Sequence, residues 1–96
     1  MIIKGKHGPI PGRVAYDFNG FSLDLKHFVV RETTPDNPFV PHSHEKREMW
    51  YMISGAGFFH RDGIEEPVSG GDLIRIDPWV KHGLRTEDRI NWICLG

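Results

Sequence analysis

Apolar and polar residues alternate along short stretches of the chain, and glycine or proline interrupts the pattern at close intervals. The longest stretch free of both, residues 21–34, alternates as a strand does, with Leu23, Leu25, His27 and Val29 on one face. No uninterrupted stretch shows the 3.6-residue apolar period of an amphipathic helix. Many short strands separated by turns predict an all-β barrel or sandwich. Further strands are predicted around residues 39–44, 47–53, 58–62, 72–76, 83–86 and 89–95.

Two glycine-containing segments predict reversals of the chain. Asp62-Gly63 is a typical two-residue hairpin turn. Gly55-Ala56-Gly57 predicts another tight reversal, so that the strands on either side of it would be separate.

The strand predicted over residues 47–53 is apolar on both faces after Glu48. A strand with two apolar faces is normally covered on both sides. We therefore expect one face to line the barrel interior and the other to lie under the N-terminal arm or a second subunit.

Composition narrows the range of functions. Ninety-six residues are enough for one domain. Twelve Lys and Arg against thirteen Asp and Glu give a net charge of −1, which offers no basic field for nucleic acid. A single cysteine excludes an intramolecular disulfide framework and is typical of a reducing cytoplasm. The N-terminus does not resemble a signal peptide, and no segment predicts membrane insertion.

Residues 42–48 carry three metal-ligating side chains within seven positions, namely His42, His44 and Glu48. On an unbroken strand all three would point to one face, because side chains two residues apart share a face. Two imidazoles and a carboxylate at one point suit a divalent transition metal. His82 is a candidate fourth ligand from another strand, and a solvated polar stretch is the alternative interpretation.

The spacing of these residues resembles the first motif of the cupins, G-x5-H-x-H-x3/4-E-x6-G. His42, His44, Glu48 and Gly55 match this motif position by position, while Asn37 stands where the leading glycine usually falls. The segment covers residues 37–55.

The second cupin motif, G-x5-P-x-G-x2-H-x3-N, is only partly kept over residues 71–86. Gly71 opens it and His82 closes it at the right interval. Asp77 replaces the usual proline and Trp79 the usual glycine, so we expect an altered barrel mouth with metal binding retained.

The resemblance implies that residues 1–96 form one small cupin barrel, a jelly-roll-like double-stranded β-helix with an N-terminal arm over residues 1–20. It also implies one divalent transition metal (Fe, Mn, Ni, Co, Cu or Zn) bound by His42, His44, Glu48 and His82. N-terminal strands of cupins often pair across dimers, so a homodimer is expected.

Other side chains are weaker candidates. His60 lines the cavity or faces away from it, depending on strand register. Arg75 either points inward to grip a carboxylate or phosphate, or lies on the surface. Cys94 is either a buried structural thiol or, as in some one-domain cupins, a neighbour of the metal. His27 is interpreted as a core or interface residue. An aromatic-lined cavity is suggested by Trp50, Met52, Phe59, Trp79 and Trp92.

Three classes of function are compatible with these residues. The favoured class is an oxygenase or oxidase acting on a small chelating substrate at the metal. A non-redox sugar isomerase or lyase would instead use the metal as a Lewis acid. The third class is a non-catalytic module that binds small molecules.

Overall fold

The computed structural model describes residues 2–17 and 25–96, and these residues form nine β-strands and no helix. The all-β prediction is confirmed. No helix long and apolar enough to span a membrane occurs among the described residues. The strands are β1 (Lys6–His7), β2 (Val14–Ala15), β3 (Phe28–Thr33), β4 (Phe39–His42), β5 (Glu48–Arg61), β6 (Ile64–Ser69), β7 (Leu73–Ile76), β8 (His82–Arg85) and β9 (Ile90–Leu95).

The long strand β5 is the centre of the fold. Its first half pairs with β9 on one side and β7 on the other, and its second half pairs with β8 and β6. Strands β1, β2 and β3 extend the sheet beyond β9, and β4 extends it beyond β8. All pairs are antiparallel, and the resulting sheet curls into the half-barrel of a small β-barrel.

The reversal predicted at residues 55–57 is wrong, because β5 runs through this segment without turning back. The glycines instead allow the backbone of neighbouring segments to approach β5 closely. A Cβ atom on Gly55, whose φ is 88°, would collide with the carbonyl of Arg89, and one on Gly57 would lie 2.6 Å from the carbonyl oxygen of Arg85. Gly55 and Gly57 therefore let neighbouring strands pack against β5 where it passes from one set of partners to the other.

The hairpin turn predicted at Asp62-Gly63 is confirmed. Both residues have positive φ, 48° and 86°, as a type I′ turn requires. Arg61 pairs with Ile64 across it. Strand β6, which follows, was absent from the predicted strands.

The strand predicted over residues 21–34 is shorter in the structure, where β3 begins at Phe28; residues 18–24, including Leu23, lie outside the described residues. His27 continues the pairing through backbone hydrogen bonds with Gly96. The N-terminal arm pairs with β3 through β2. The arm thus extends the sheet, and the expectation that it covers the outer face of β5 is wrong for the described residues.

The core is built from the inward faces of β5 and β9. Residues 90–95 alternate strictly between buried and partly exposed, with Ile90, Trp92 and Cys94 inside. The rings of Trp50 and Trp92 lie 4.2 Å apart, and Nε1 of Trp92 donates a hydrogen bond to Oγ1 of Thr33 at 2.9 Å. Replacing either tryptophan by alanine would cost about 3–5 kcal/mol of stability. Trp50 and Trp92 are thus packed core residues.

Candidate metal centre

Three imidazole rings converge at one end of the core. The ring centroids of His42 and His82 are 4.5 Å apart, those of His44 and His82 4.7 Å, and those of His42 and His44 5.4 Å. Each ring offers a nitrogen within 4.8 Å of the others. His42 is exposed and His82 fully buried, so the cluster reaches from solvent to the core.

The cluster is assembled from strand ends and one loop. His42 ends β4 and pairs with His82, the first residue of β8. The condition of an unbroken strand from residue 42 to residue 48 is not met, because the chain leaves the sheet after His42 and re-enters it at Glu48. The backbone nitrogen of Trp79 donates to the carbonyl of His44 at 2.8 Å, which holds the intervening loop. His44 therefore reaches the other two rings from a loop, and not because alternate residues of a strand share a face.

Backbone carbonyls determine which nitrogens are free for a ligand. Nδ1 of His82 lies 2.7 Å from the carbonyl oxygen of Val80, and Nδ1 of His42 lies 3.3 Å from that of Val40. A carbonyl only accepts hydrogen bonds, so each ring donates from Nδ1 and leaves a lone pair on Nε2. This arrangement is the usual support for a metal-binding histidine.

The Nε2 atom of His82 and the Nδ1 atom of His44 are buried and have no hydrogen-bond partner in the described part of the chain. Burial lowers the pKa of His82, and the charges of His42 and His44 lower it further against the opposing effect of the Val80 carbonyl. The neutral ring, which is the form that binds metal, is therefore favoured. Buried nitrogens without partners fit a site for a transition metal ion.

Glu48 lies beside the histidines and joins them to a second group. Its Oε1 atom is 3.3 Å from Nε2 of His44 and 3.7 Å from Nε2 of His82. Burial raises the pKa of Glu48, but hydrogen bonds from Trp50 and Cys94 and the nearby His44 and His27 leave the pKa below its ordinary value. Glu48 is thus an ionised carboxylate available as a fourth ligand.

The second group consists of His27, Glu48 and Cys94, whose ligand atoms also lie within 4.8 Å of one another. Nε2 of His27 is 3.2 Å from Oε2 of Glu48 and 3.3 Å from Sγ of Cys94. The structure therefore places Cys94 both in the core and next to the proposed ligand Glu48. The role of His27 as a partner of Glu48 was missed, although its parity with the buried Val29 pointed inward.

Three candidates from the sequence lie away from the histidine cluster. His60 accepts a hydrogen bond from the backbone nitrogen of Gly63 at 3.1 Å and lines an outer groove. Arg75 is exposed and pairs with Asp77 at 3.3 Å. The side chain of Trp79 is 66% exposed. His60 and Arg75 thus take the outward of their two alternatives, and the expectation that Trp79 lines the cavity is wrong. Met52 and Phe59, like the two core tryptophans, are buried in the core.

Arg31 is a further inward residue that the sequence did not single out. Its Cζ atom lies 4.9 Å from the ring centroid of Phe39 and 5.8 Å from that of Trp92. Its Nε atom is buried without a partner among the described residues. The signal was present in the sequence, since Arg31 shares strand parity with Val29 and Thr33.

Comparisons with known proteins agree with this architecture. The model of the Cupin domain family matches residues 29–96. A predicted oxalate decarboxylase from Thermotoga maritima superimposes with a TM-score of 0.75 at 17% identity, covering 99% of this chain and 96% of that one. A cupin protein from Bacteroides fragilis gives a TM-score of 0.74 at 23% identity, covering 94% of this chain and 80% of that one. A cupin 2 conserved barrel domain protein from Rhodopseudomonas palustris gives 0.75 at 17% identity, covering 98% and 69%. The family match spans most of the chain, which therefore belongs to the cupin family.

Proposed function

We propose that this protein is a metal-dependent enzyme that oxidises a small chelating substrate with molecular oxygen. One divalent transition metal would be held by His42, His44 and His82, with Glu48 as the fourth ligand. The observation that carries the proposal is the buried, unpartnered Nε2 of His82, whose ring is fixed by donation from Nδ1 to Val80.

The ligand set favours redox chemistry. Fe(II) or Mn(II) held by these imidazoles and the carboxylate would supply oxygen chemistry on a chelating substrate. The exposed His42 marks the side from which such molecules reach the site. Phe39 contacts the rings of both His42 and His82, and Trp50 packs against Phe39 and His82.

The chain's own residues set the charge and protonation of the site. Trp50 donates from Nε1 to Oε1 of Glu48 at 3.3 Å, and His27 lies against Oε2. These contacts hold the carboxylate in place and keep it ionised. Histidines bind metal in the neutral form and add no charge, so Glu48 is the anionic member of the proposed ligand set.

A Lewis-acid isomerase or lyase is the second candidate, and the His27–Glu48 pair favours it. A carboxylate held by a histidine at 3.2 Å is a suitable base for moving a proton next to a metal-bound carbonyl. In that case Glu48 would transfer protons and the three histidines alone would bind the metal.

Metal analysis after purification without added metal, followed by reconstitution, tests the proposal. We expect one metal per chain in the wild type and less than a tenth of that in His82→Gln, with His60→Gln as the matched control that retains it. Unchanged metal content in both His82→Gln and His44→Gln would contradict the site.

Oxygen uptake then separates the two functions. Protein loaded with Fe(II), Mn(II) or Zn(II) would be screened with small diols, diketones and sugar acids. An oxygenase consumes oxygen with Fe(II) or Mn(II) and is inactive with Zn(II). Turnover with Zn(II) under strict anaerobiosis would instead support the isomerase or lyase.

A further inference from the structure

Arg31 projects into the barrel from the inward face of β3. Its neighbours on that face, Val29 and Thr33, are 7% and 2% exposed. The guanidinium lies over the rings of Phe39 and Trp92, at 4.9 and 5.8 Å from their centroids. Cation–π contacts of this kind stabilise the flat faces of the guanidinium but do not satisfy its N–H groups.

The N–H edge of this guanidinium lacks an acceptor. Nε of Arg31 is buried without a hydrogen-bond partner, and Arg31 forms no ion pair with any residue in the ranges 2–17 and 25–96. Burial lowers the pKa of Arg31 and the nearby charge of Arg13 lowers it further, while Cys94 and Glu48 act in the opposite direction without cancelling the shift. An arginine remains protonated despite such shifts. A half-buried guanidinium whose Nε donor has no partner and which forms no ion pair is costly, so the position suits an anionic ligand.

Arg31 also lies close to the histidine cluster. The ring of Phe39 is 4.9 Å from Cζ of Arg31 and 4.9 Å from the ring of His42, so one aromatic ring separates the guanidinium from the imidazole. The guanidinium and the histidine cluster thus lie on two sides of one aromatic ring.

We propose that Arg31 binds the carboxylate of the substrate, which is a small organic acid carrying a second, metal-chelating oxygen group. The inference rests on the proposed metal function and adds the substrate class to it. The Nε and Nη donors of a guanidinium match the two oxygens of a carboxylate, and the contacts with the rings of Phe39 and Trp92 do not occupy these donors. Arg75, the arginine suggested by the sequence, is already paired with Asp77 on the surface.

The first test uses metal-free protein and does not depend on the metal site. The Nε–H resonance of Arg31 would be followed by NMR during titration with propionate, with propionamide as the neutral control. We expect a saturable shift with propionate and none with the amide. No shift with propionate, or a larger saturable shift with inorganic phosphate, would overturn the proposed substrate class.

The second test adds the metal and varies the ligand length. Zn(II)-loaded protein, with its metal content measured, would be titrated calorimetrically with glycolate, 3-hydroxypropionate and 4-hydroxybutyrate, each compared with its amide. At least one acid should bind about tenfold more tightly than its amide, the effect of one charge-assisted contact. Arg31→Gln should remove this preference, whereas Arg75→Gln should keep it.

The outcomes are distinguishable. Loss of zinc binding with a retained propionate shift contradicts the metal function and leaves carboxylate binding by Arg31 standing. An acid preference that survives in Arg31→Gln overturns the inference. If Arg31→Gln does not fold, Arg31→Lys replaces it. We expect this variant to keep the positive charge but to weaken the preference for the acid over its amide, because lysine cannot form bidentate hydrogen bonds to a carboxylate.

Discussion

His27 contacts Glu48 on the side opposite the histidine cluster, with Nε2 of His27 3.2 Å from Oε2 of the carboxylate. The other oxygen, Oε1, lies 3.3 Å from Nε2 of His44. His27 therefore orients the carboxylate and leaves Oε1 directed at the proposed metal.

The substitution His27→Gln should weaken metal binding by about tenfold, the usual effect of losing a residue that supports a ligand. Stoichiometry at saturating metal should remain at one per chain, because no proposed ligand is removed. Competition with a chromogenic chelator measures the affinity. His7→Gln, in the exposed strand β1, is the control and should match the wild type; equal affinity in all three proteins would contradict the role given to His27.

Cys94 is a second neighbour of Glu48, and its thiol should be unreactive. Burial, followed by the charge of Glu48, raises the pKa of Cys94 from 9.0 to about 12. The folded protein thus keeps the proton that an unfolded chain releases above pH 9. We expect iodoacetamide at pH 9 to label urea-unfolded protein rapidly and folded protein at least tenfold more slowly.

The same pKa difference has a consequence for stability. A thiol with a raised folded-state pKa contributes stability that is fully present below pH 9 and is lost as the pH rises from 9 towards about 12. Cys94→Ala should therefore flatten the decline of unfolding free energy over this range. A decline identical to that of the wild type would show that the thiol does not titrate as the burial of Cys94 implies.

The proposed ligands could be selected from the sequence because most of them are close in the chain. The motif containing His42, His44 and Glu48 needed no tertiary information, although the chain leaves the sheet between His42 and Glu48. Residues from distant segments that contact a proposed ligand were harder to identify. His27 reaches Glu48 only because its segment pairs with the end of the chain at Gly96, a contact that depends on the closed sheet.

The two arginines show why the proposed role of Arg31 was not predicted. Arg75 lies in a stretch apolar on both faces, so alternation does not determine its direction; in the structure Ile74 and Ile76 face inward and Arg75 faces solvent. Arg31 follows Val29 in strict alternation, but a charged residue on an apolar face is normally assigned to the surface. Only the packing of Phe39 and Trp92 around it shows that it is inside.

Trp79 occupies a strained backbone position. It has a φ of 66° and is the third residue of a turn in which the nitrogen of Val80 donates to the carbonyl of Asp77 at 3.3 Å. With Pro78 before it, this is the position of a type II turn that favours glycine. The glycine of the second cupin motif, replaced here by Trp79, matches this requirement.

Trp79→Gly should therefore stabilise the protein by up to about 1 kcal/mol, since the left-handed conformation costs a non-glycine residue roughly that much. The lost indole contributes little because it is 66% exposed. Urea unfolding measures the change. Trp79→Ala is the control, because it removes the ring and retains the strain; a glycine variant less stable than the alanine variant would contradict the prediction.

The outer face of β5 is the surface on which we propose that two copies of the chain pair. Met49, Tyr51 and Ile53 are 38–45% exposed there, and Leu73, which pairs with Tyr51, is 58% exposed. A two-fold interface brings the same patch of both copies together. Tyr51→Lys would place two like charges near each other in such an interface and should shift the equilibrium to monomers.

Light scattering coupled to size-exclusion chromatography, over a range of micromolar concentrations, measures this shift. Ile64→Lys is the matched control, because Ile64 is a similarly exposed apolar residue (57%) on β6, away from this face. The wild type and Ile64→Lys should both have the mass of a dimer, and Tyr51→Lys that of a monomer. A monomeric wild type at all concentrations would exclude the pairing, and a dimeric Tyr51→Lys variant would place the interface on another face of the barrel.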